Sequence, residues 1–592
     1  MDFEAVLDDE IAAGQISEGE GLIRLLKSFL GDPEAALPEA YGTVQESEGN
    51  GVIERANDYL ARGEDEQAKG EIEQLLNALV PTTEQLKAYS QPAPASALPD
   101  GPAAASGGLA APASQTDCTS LWRAGFPMAG VTRYPCFEYI VGSVPGAGSY
   151  TIYYPTSWGT DDPGHERLQA AADAAADAMR TYLPFGDIGP VNIIFSTFES
   201  PAGFLAEVYS HHARDDEACP LLIYPRAMAE TDEDQFKQSV AHEIFHCFQV
   251  RHLRAQMLGT DREVRKWWSE ASAEYFSNVV YPTVNYEQRH EDSFDAESPE
   301  EPLTDLGYED AVFFQYLGTR IGNAGVIDLL RSMPADGGEE EQVQALAGYT
   351  DIKDLFHEFG RAYLEGRIED TGEALGGGTF PVNPTFEDEL HLASGATTPV
   401  DAEPFVLRRL RVTFEDEQLY TLTTEETGVE GRYGLRLGFG DAAWGPVPET
   451  LNTACANPPA VLLLTNTTPG LGTYTVQIGA TTEESGECDR CLLGNWQMDL
   501  DSYRSAFDAL SASYMPGGAT LSDVTGSITA LFLEGGHVYS STEGFTAVAQ
   551  FSSGGQPAQL TMTMNGTVDS IYVVEGPGRI SFLRPVENLT TD

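Results

Sequence analysis

Two histidines four residues apart, with an acidic residue directly after the first, constrain this chain more than any other feature: His242-Glu243-Ile244-Phe245-His246. On an α-helix, residues i and i+4 stand one above the other on a single face, so both imidazoles can reach one ion. Glu243 is then placed to take a proton from a water held at that ion. Phe236, Val240, Ile244, Phe248 and Met257 fall near helical spacing, which predicts a core-packed helix. Thr231 or Asp232 is its expected N-cap, with acidic residues in the first turn. The simpler alternative leaves both histidines as hydrogen-bonded core residues and Glu243 as a solvated carboxylate.

Two histidines need a third protein donor if the fourth position is to stay open for water. Glu270 is the expected third ligand. It lies in a second apolar-periodic stretch, Trp267, Trp268, Ala271, Tyr275 and Val279, which predicts a helix packed against the first. Glu274, one turn on, shares its face and is expected to accept a hydrogen bond from a ligand histidine, fixing the tautomer.

His242-Glu243-x-x-His246 followed by Trp268-Ser269-Glu270-x-x-Ala273-Glu274-Tyr275 resembles the gluzincin metallopeptidases, the superfamily of thermolysin and aminopeptidase-N-like enzymes. The resemblance covers roughly residues 140–370 and is specific only around the metal motif. It implies an α+β zincin-like catalytic domain, one Zn2+, and Glu270 as third ligand. Gly307-Tyr308-Glu309-Asp310-Ala311 resembles the start of the family's "YEKG…YL" helix, which implies that Tyr308 stabilises an oxyanion. Two departures stand out. The glycine usual after the third ligand is Ala271, and the segment that grips a free amino terminus is absent. Where it would lie the chain reads Ala206-Glu207-Val208-Tyr209, which favours endopeptidase action or an edge strand that holds an extended peptide.

Composition limits the partners. The chain carries 92 Asp and Glu against 33 Lys and Arg, a net charge of −59 over 592 residues. Phosphate contacts require clustered cations, so nucleic acid is not expected as a partner. Such a surface keeps a protein soluble and suits a salty medium. No apolar run reaches the ~18 residues of a membrane span. Met1-Asp2-Phe3-Glu4 does not read as a signal peptide, yet seven cysteines point to an oxidising compartment and a secreted protein. Cys118 with Cys136 and Cys219 with Cys247 are the expected disulfides; Cys455, Cys488 and Cys491 leave one thiol over.

The predicted organisation is multidomain. Residues 1–88 form an acidic helical region and 89–117 a Pro/Ala/Ser/Gly linker. Residues 118–395 form the α+β metallopeptidase-like domain, with strands at 150–154 and 191–195, a helix from Glu166 to Tyr182, and helices near 309–333 and 351–365. All-β modules follow: a β-sandwich over 396–487, and a module over 488–592 whose Gly494-x-Trp496 weakly resembles the start of lipocalin-like barrels and implies an apolar ligand. The acidic run Asp292 to Glu301 could touch a structural Ca2+ but lacks the spacing of a calcium loop. The expected function is a secreted zinc metallopeptidase acting on peptide or protein substrates. Two rivals are a binding protein with a structural zinc and a zinc hydrolase of a non-peptide bond.

Overall fold

The structure, a computed structural model, describes residues 10–29, 55–57, 59–60, 63 and 65–92, then 136–586 apart from 159–162, 180–186, 197–204, 209–217, 231, 261, 371–378, 387, 416–417, 429, 438–443, 454–458, 471, 485–493, 506, 508–518, 533–536, 554–555 and 577–578. The chain divides into two compact units. The first comprises Met1–Glu297, Leu303–Thr350 and Arg367–Val382; the second comprises Ser298–Pro302, Asp351–Gly366 and Asn383–Asp592.

The first unit is built on a six-stranded mixed sheet: β1 (Ser90–Pro92), β2 (Phe137–Val144), β3 (Gly148–Pro155), β4 (Pro190–Phe195), β5 (Ala206–Val208) and β6 (Cys219–Ile223), in the order β1-β2-β3-β4-β6-β5. β3, β4 and β6 run parallel, and their near-continuous Ile, Leu, Val and Tyr content is what strands buried on both faces require. β5 pairs antiparallel with β6 and forms the edge. Composition predicts a linker from residue 89, yet its first residues form β1, which pairs parallel with β2.

The N-terminal region packs against this sheet. Leu22, Leu25 and Leu26 of α1 (Glu18–Phe29) and Ile72, Leu75 and Leu76 of α2 (Glu66–Leu79) share one apolar cluster with Phe137, Tyr153, Ile194 and Leu222. Further along, α3 (Pro163–Ala178) buries Leu168, Ala171, Ala172 and Ala175 and packs against β2, β3 and α4 (Glu233–His252).

α4 begins where the Asp232 carboxylate accepts hydrogen bonds from the backbone N–H groups of Asp234 and Gln235, at 3.0 and 3.2 Å. It buries Phe236, Val240, Ile244 and Phe248, as the periodicity predicts. Met257 departs from the pattern. Helical geometry breaks at Leu253 (φ −124°, ψ 32°), and Met257 is buried on a separate short helix, Arg254–Gly259. α5 (Arg262–Val280) lies against α4, with Trp267 and Trp268 wholly enclosed. A 3-10 turn at Tyr308–Asp310 leads into α6 (Ala311–Ser332). Gly318 allows α6 to press on α5, since a Cβ there would fall 1.9 Å from the Tyr275 hydroxyl.

In the second unit, α7 (Ile352–Leu364) precedes two facing sheets. One runs β13-β10-β15-β8 (Thr450–Asn452, Gln418–Thr427, Tyr474–Glu484, Ala396–Ala402). The other runs β12-β11-β14-β9-β7 (Trp444–Gly445, Gly431–Leu437, Ala460–Asn466, Arg408–Phe414, Glu389–Leu392). Both contribute to one apolar core that includes Leu410, Val412, Leu422, Leu462, Leu464, Val476 and Ile478. The last sheet is an antiparallel meander, β16 (Gly494–Gln497) to β20 (Arg579–Val586), with β17 (Ala519–Phe532), β18 (His537–Ser553) and β19 (Gln556–Gly576) between. Among the described residues its first and last strands do not pair, and Trp496 is 49% exposed rather than packed across a barrel end. No helix among the described residues is long and apolar enough to cross a membrane.

Candidate metal centre

α4 and α5 lie side by side, and the turn-by-turn register of each decides what meets between them. His242 and His246 project from α4 toward Glu270 on α5. Glu270 Oε2 is 3.2 Å from His242 Nε2 and 3.1 Å from His246 Nε2, and the two ring nitrogens are 3.0 Å apart. All three residues are buried. Among the described residues they are the one group of three or more His, Cys, Asp or Glu whose ligand atoms converge on a point.

The donor set fits a cation. Four donors at about 2.0–2.1 Å from a tetrahedral ion lie roughly 3.3 Å from one another, close to the separations found here. The protonation pattern fits too. Gln249 Nε2 donates to the Ser269 carbonyl and the Ser272 hydroxyl, both at 2.9 Å, which turns Gln249 Oε1 toward His246 Nδ1 at 2.7 Å. A carbonyl oxygen can only accept, so His246 carries its proton on Nδ1 and aims the Nε2 lone pair at the convergence point. Burial opposes charge on His246, but the Glu270 carboxylate overrides it and raises the imidazole to about 9. Burial likewise penalises ionised Glu270, and His246, His242 and Arg262 together still hold it well below the usual carboxylate range. A cation seated there competes with the proton for the same lone pair.

Glu243 sits beside this group and behaves oppositely. Burial, reinforced by the Glu270 and Glu207 charges, lifts its carboxyl to about 8 against the opposing influence of His246 and of the Val208 N–H. Glu243 Oε2 accepts that N–H, from edge strand β5, at 2.7 Å. Ala206 also lines the cavity of about 210 Å3 into which His242, Glu243 and Tyr308 open. Glu207 turns to Tyr224, whose hydroxyl donates to it at 2.7 Å. Tyr209 lies outside the described residues.

Tyr308 stacks on His242, ring centroids 5.8 Å apart, and also on His290, at 5.3 Å. Desolvation and the Glu270 charge push its hydroxyl well above the ordinary tyrosine value, so it stays a donor. Glu274 departs from its expected role. Its Oε1 is 3.8 Å from His242 Nδ1, beyond hydrogen-bond length, and it accepts instead from Arg289 at 2.7 Å. Burial works against its charge, but His290, Arg289 and His242 bring it down to about 2.

Gln249, Arg262, Arg289 and His290 are the participants that spacing does not reveal. Gln249 follows His246 by three residues on the same helix, a signal that helical spacing offers only once the ligand is known. Arg289 and His290 arrive on a 3-10 turn, Tyr286–His290, that carries no periodicity.

A disulfide anchors α4 to the sheet: Cys219 at the start of β6 bonds Cys247, directly after His246, with Cα atoms 5.7 Å apart. Cys136 is also disulfide-bonded; its expected partner Cys118, with Cys455, Cys488 and Cys491, lies outside the described residues. The acidic run from Asp292 continues a helix, Glu291–Glu297, and does not converge on an ion.

Comparison with protein-family models, with curated proteins and with solved structures finds no match.

Proposed function

We propose that this chain is a secreted zinc-dependent metallopeptidase that cuts within peptide chains. The observation that carries the reading is the buried convergence of His242, His246 and Glu270, with His242 and the neighbouring Glu243 carboxyl lining a cavity that Ala206 of β5 also borders. Two neutral-capable imidazoles and one carboxylate, with room for a fourth donor, are a zinc preference. The Cys219–Cys247 disulfide favours an oxidising compartment.

When bound, a zinc ion would act as a Lewis acid, polarising the scissile carbonyl and acidifying an attacking water. The chain's own groups divide the remaining work. Glu243 takes the water's proton as it adds to the carbonyl carbon and returns it to the departing amine as the C–N bond breaks. Tyr308 stays protonated and donates to the oxyanion. Gln249 holds His246 in the tautomer that keeps its Nε2 lone pair on the ion.

The test pairs metal analysis with digestion of a degenerate peptide library, with and without a chelator. One zinc per chain and chelator-sensitive internal cleavage support the reading. A zinc-loaded chain that cuts no peptide, or one that cuts an ester or amide outside peptides instead, overturns it.

A further inference from the structure

A second cavity, of about 570 Å3, lies wholly within the second unit, and its lining runs against the composition of the chain. Acidic residues outnumber basic ones 92 to 33 over the whole sequence, yet Lys353, Arg361 and Arg432 all line this one cavity. Solubility, which the acidic surface already provides, gives no reason to gather cations here.

Lys353, His357 and Arg361 occupy positions i, i+4 and i+8 of α7, so they share one helix face over roughly 12 Å. Arg432, on β11, completes the set. Ion pairs hold both guanidinium groups: Arg361 donates to Glu358 at 2.8 Å, and Arg432 pairs with Asp354. The Arg432 guanidinium offers five donors, more than the Asp354 carboxylate takes up. The floor is kept open by glycine. A Cβ on Gly434 would lie 3.1 Å from the Trp444 ring and 3.5 Å from His357 Nε2, and one on Gly445 would meet nothing within 4 Å. His357 is buried, with Nδ1 fixed 2.9 Å from the Thr465 hydroxyl.

Acceptors share the cavity with these donors. Glu358 and Glu426 also line it, and Glu426 accepts the Tyr474 hydroxyl at 2.7 Å. Each carboxylate has about four lone-pair sites, so acceptor capacity remains for hydroxyl hydrogens. A bare oxyanion would satisfy the cations but face both carboxylates with nothing to donate. An extended peptide is poorly served as well: β12, the sheet edge here, is two residues long and runs into Pro446, which has no N–H.

We propose that this cavity binds an acidic saccharide, a sugar ring bearing a carboxylate or a sulfate ester. Its acid group lies on Lys353, Arg361 and Arg432, and its hydroxyls donate to Glu358 and Glu426. The site is independent of the metal centre.

Calorimetric titration of the full chain tests this with a uronic-acid oligosaccharide, a sulfated oligosaccharide, a neutral oligosaccharide of equal length, poly-glutamate and inorganic sulfate. The expected result is saturable one-site binding of an acidic saccharide, about tenfold or more tighter than the neutral one. The first two arms distinguish carboxylate from sulfate ester. Lys353→Gln and Arg361→Gln are each expected to weaken binding about tenfold, and if Arg361→Gln fails to fold, Lys353→Gln decides. Absence of saccharide binding, equal affinity for the neutral sugar, equal or tighter binding of poly-glutamate or sulfate, or no effect of Lys353→Gln overturns the proposal.

Discussion

The two units bury different things. The carboxylates enclosed among the described residues, Glu207, Glu270, Glu274, Glu287, Glu291, Asp295 and Asp310, all belong to the first unit. The sandwich of the second unit encloses leucine, valine, isoleucine and tyrosine, with no acid among the described residues of its core. Burying a charge costs several kcal/mol unless it is paired, and stability alone favours the apolar solution. The sandwich core therefore reads as architecture. The first unit tolerates a costly centre, and at Glu270 and Glu274 the compensation comes from cationic neighbours. Arg262 and two imidazoles surround Glu270, while Arg289 and His290 face Glu274.

The contrast can be broken most severely at Glu243. Glu243→Gln is expected to lower peptide turnover about 1,000-fold while the metal content per chain stays the same; near-normal turnover would remove the carboxyl from the chemistry. Chelation comes next. Stripping the cation is expected to destabilise the first unit by roughly 3–4 kcal/mol relative to the saturated state and leave the melting of the second unit unmoved, as followed by calorimetry. Replacing Cys219 and Cys247 by serine opens a 28-residue loop and is expected to cost the first unit about 3 kcal/mol in denaturant unfolding. Gln249→Leu, which frees the His246 tautomer, is expected to weaken metal affinity about 10–100-fold in competition with a chelating dye.

A pH series probes the apolar unit. Burial lowers His357 to about 3, against roughly 6.5 in the unfolded chain. The unfolded state therefore binds the extra proton first. The stability from keeping this imidazole neutral is complete above about pH 6.5 and is lost as the pH falls toward 3, at up to about 1.4 kcal/mol per pH unit. Stability of the second unit in His357→Gln should fall less steeply than wild type between those values; identical slopes would show that folding does not shift the His357 pKa.

Legibility followed periodicity. The stripe Phe236, Val240, Ile244 and Phe248 forms one buried helix face because side chains four apart are neighbours whatever surrounds them. Met257 fits the same arithmetic yet sits on another helix, since periodicity continues through a backbone break that it cannot register. The strands read at 150–154 and 191–195 lie inside β3 and β4 for a similar local reason. Glu274 marks the limit. Its place on the face of Glu270 was readable, but its partner was set by where Arg289 arrived on a non-periodic turn. The helix over 351–365 was readable as a helix, while its membership in the second unit was not.

Helical pitch, a property of the backbone, is enough to set His242 and His246 on one helix face with Glu243 beside them, and Glu270 and Glu274 on another. Pitch does not dictate that the two faces meet with their donor atoms about 3 Å apart, that Gln249 sets a tautomer, or that edge strand β5 reaches Glu243. Those outcomes depend on packing between segments distant in the chain, where a shift of one residue's rise, about 1.5 Å, would change every partner.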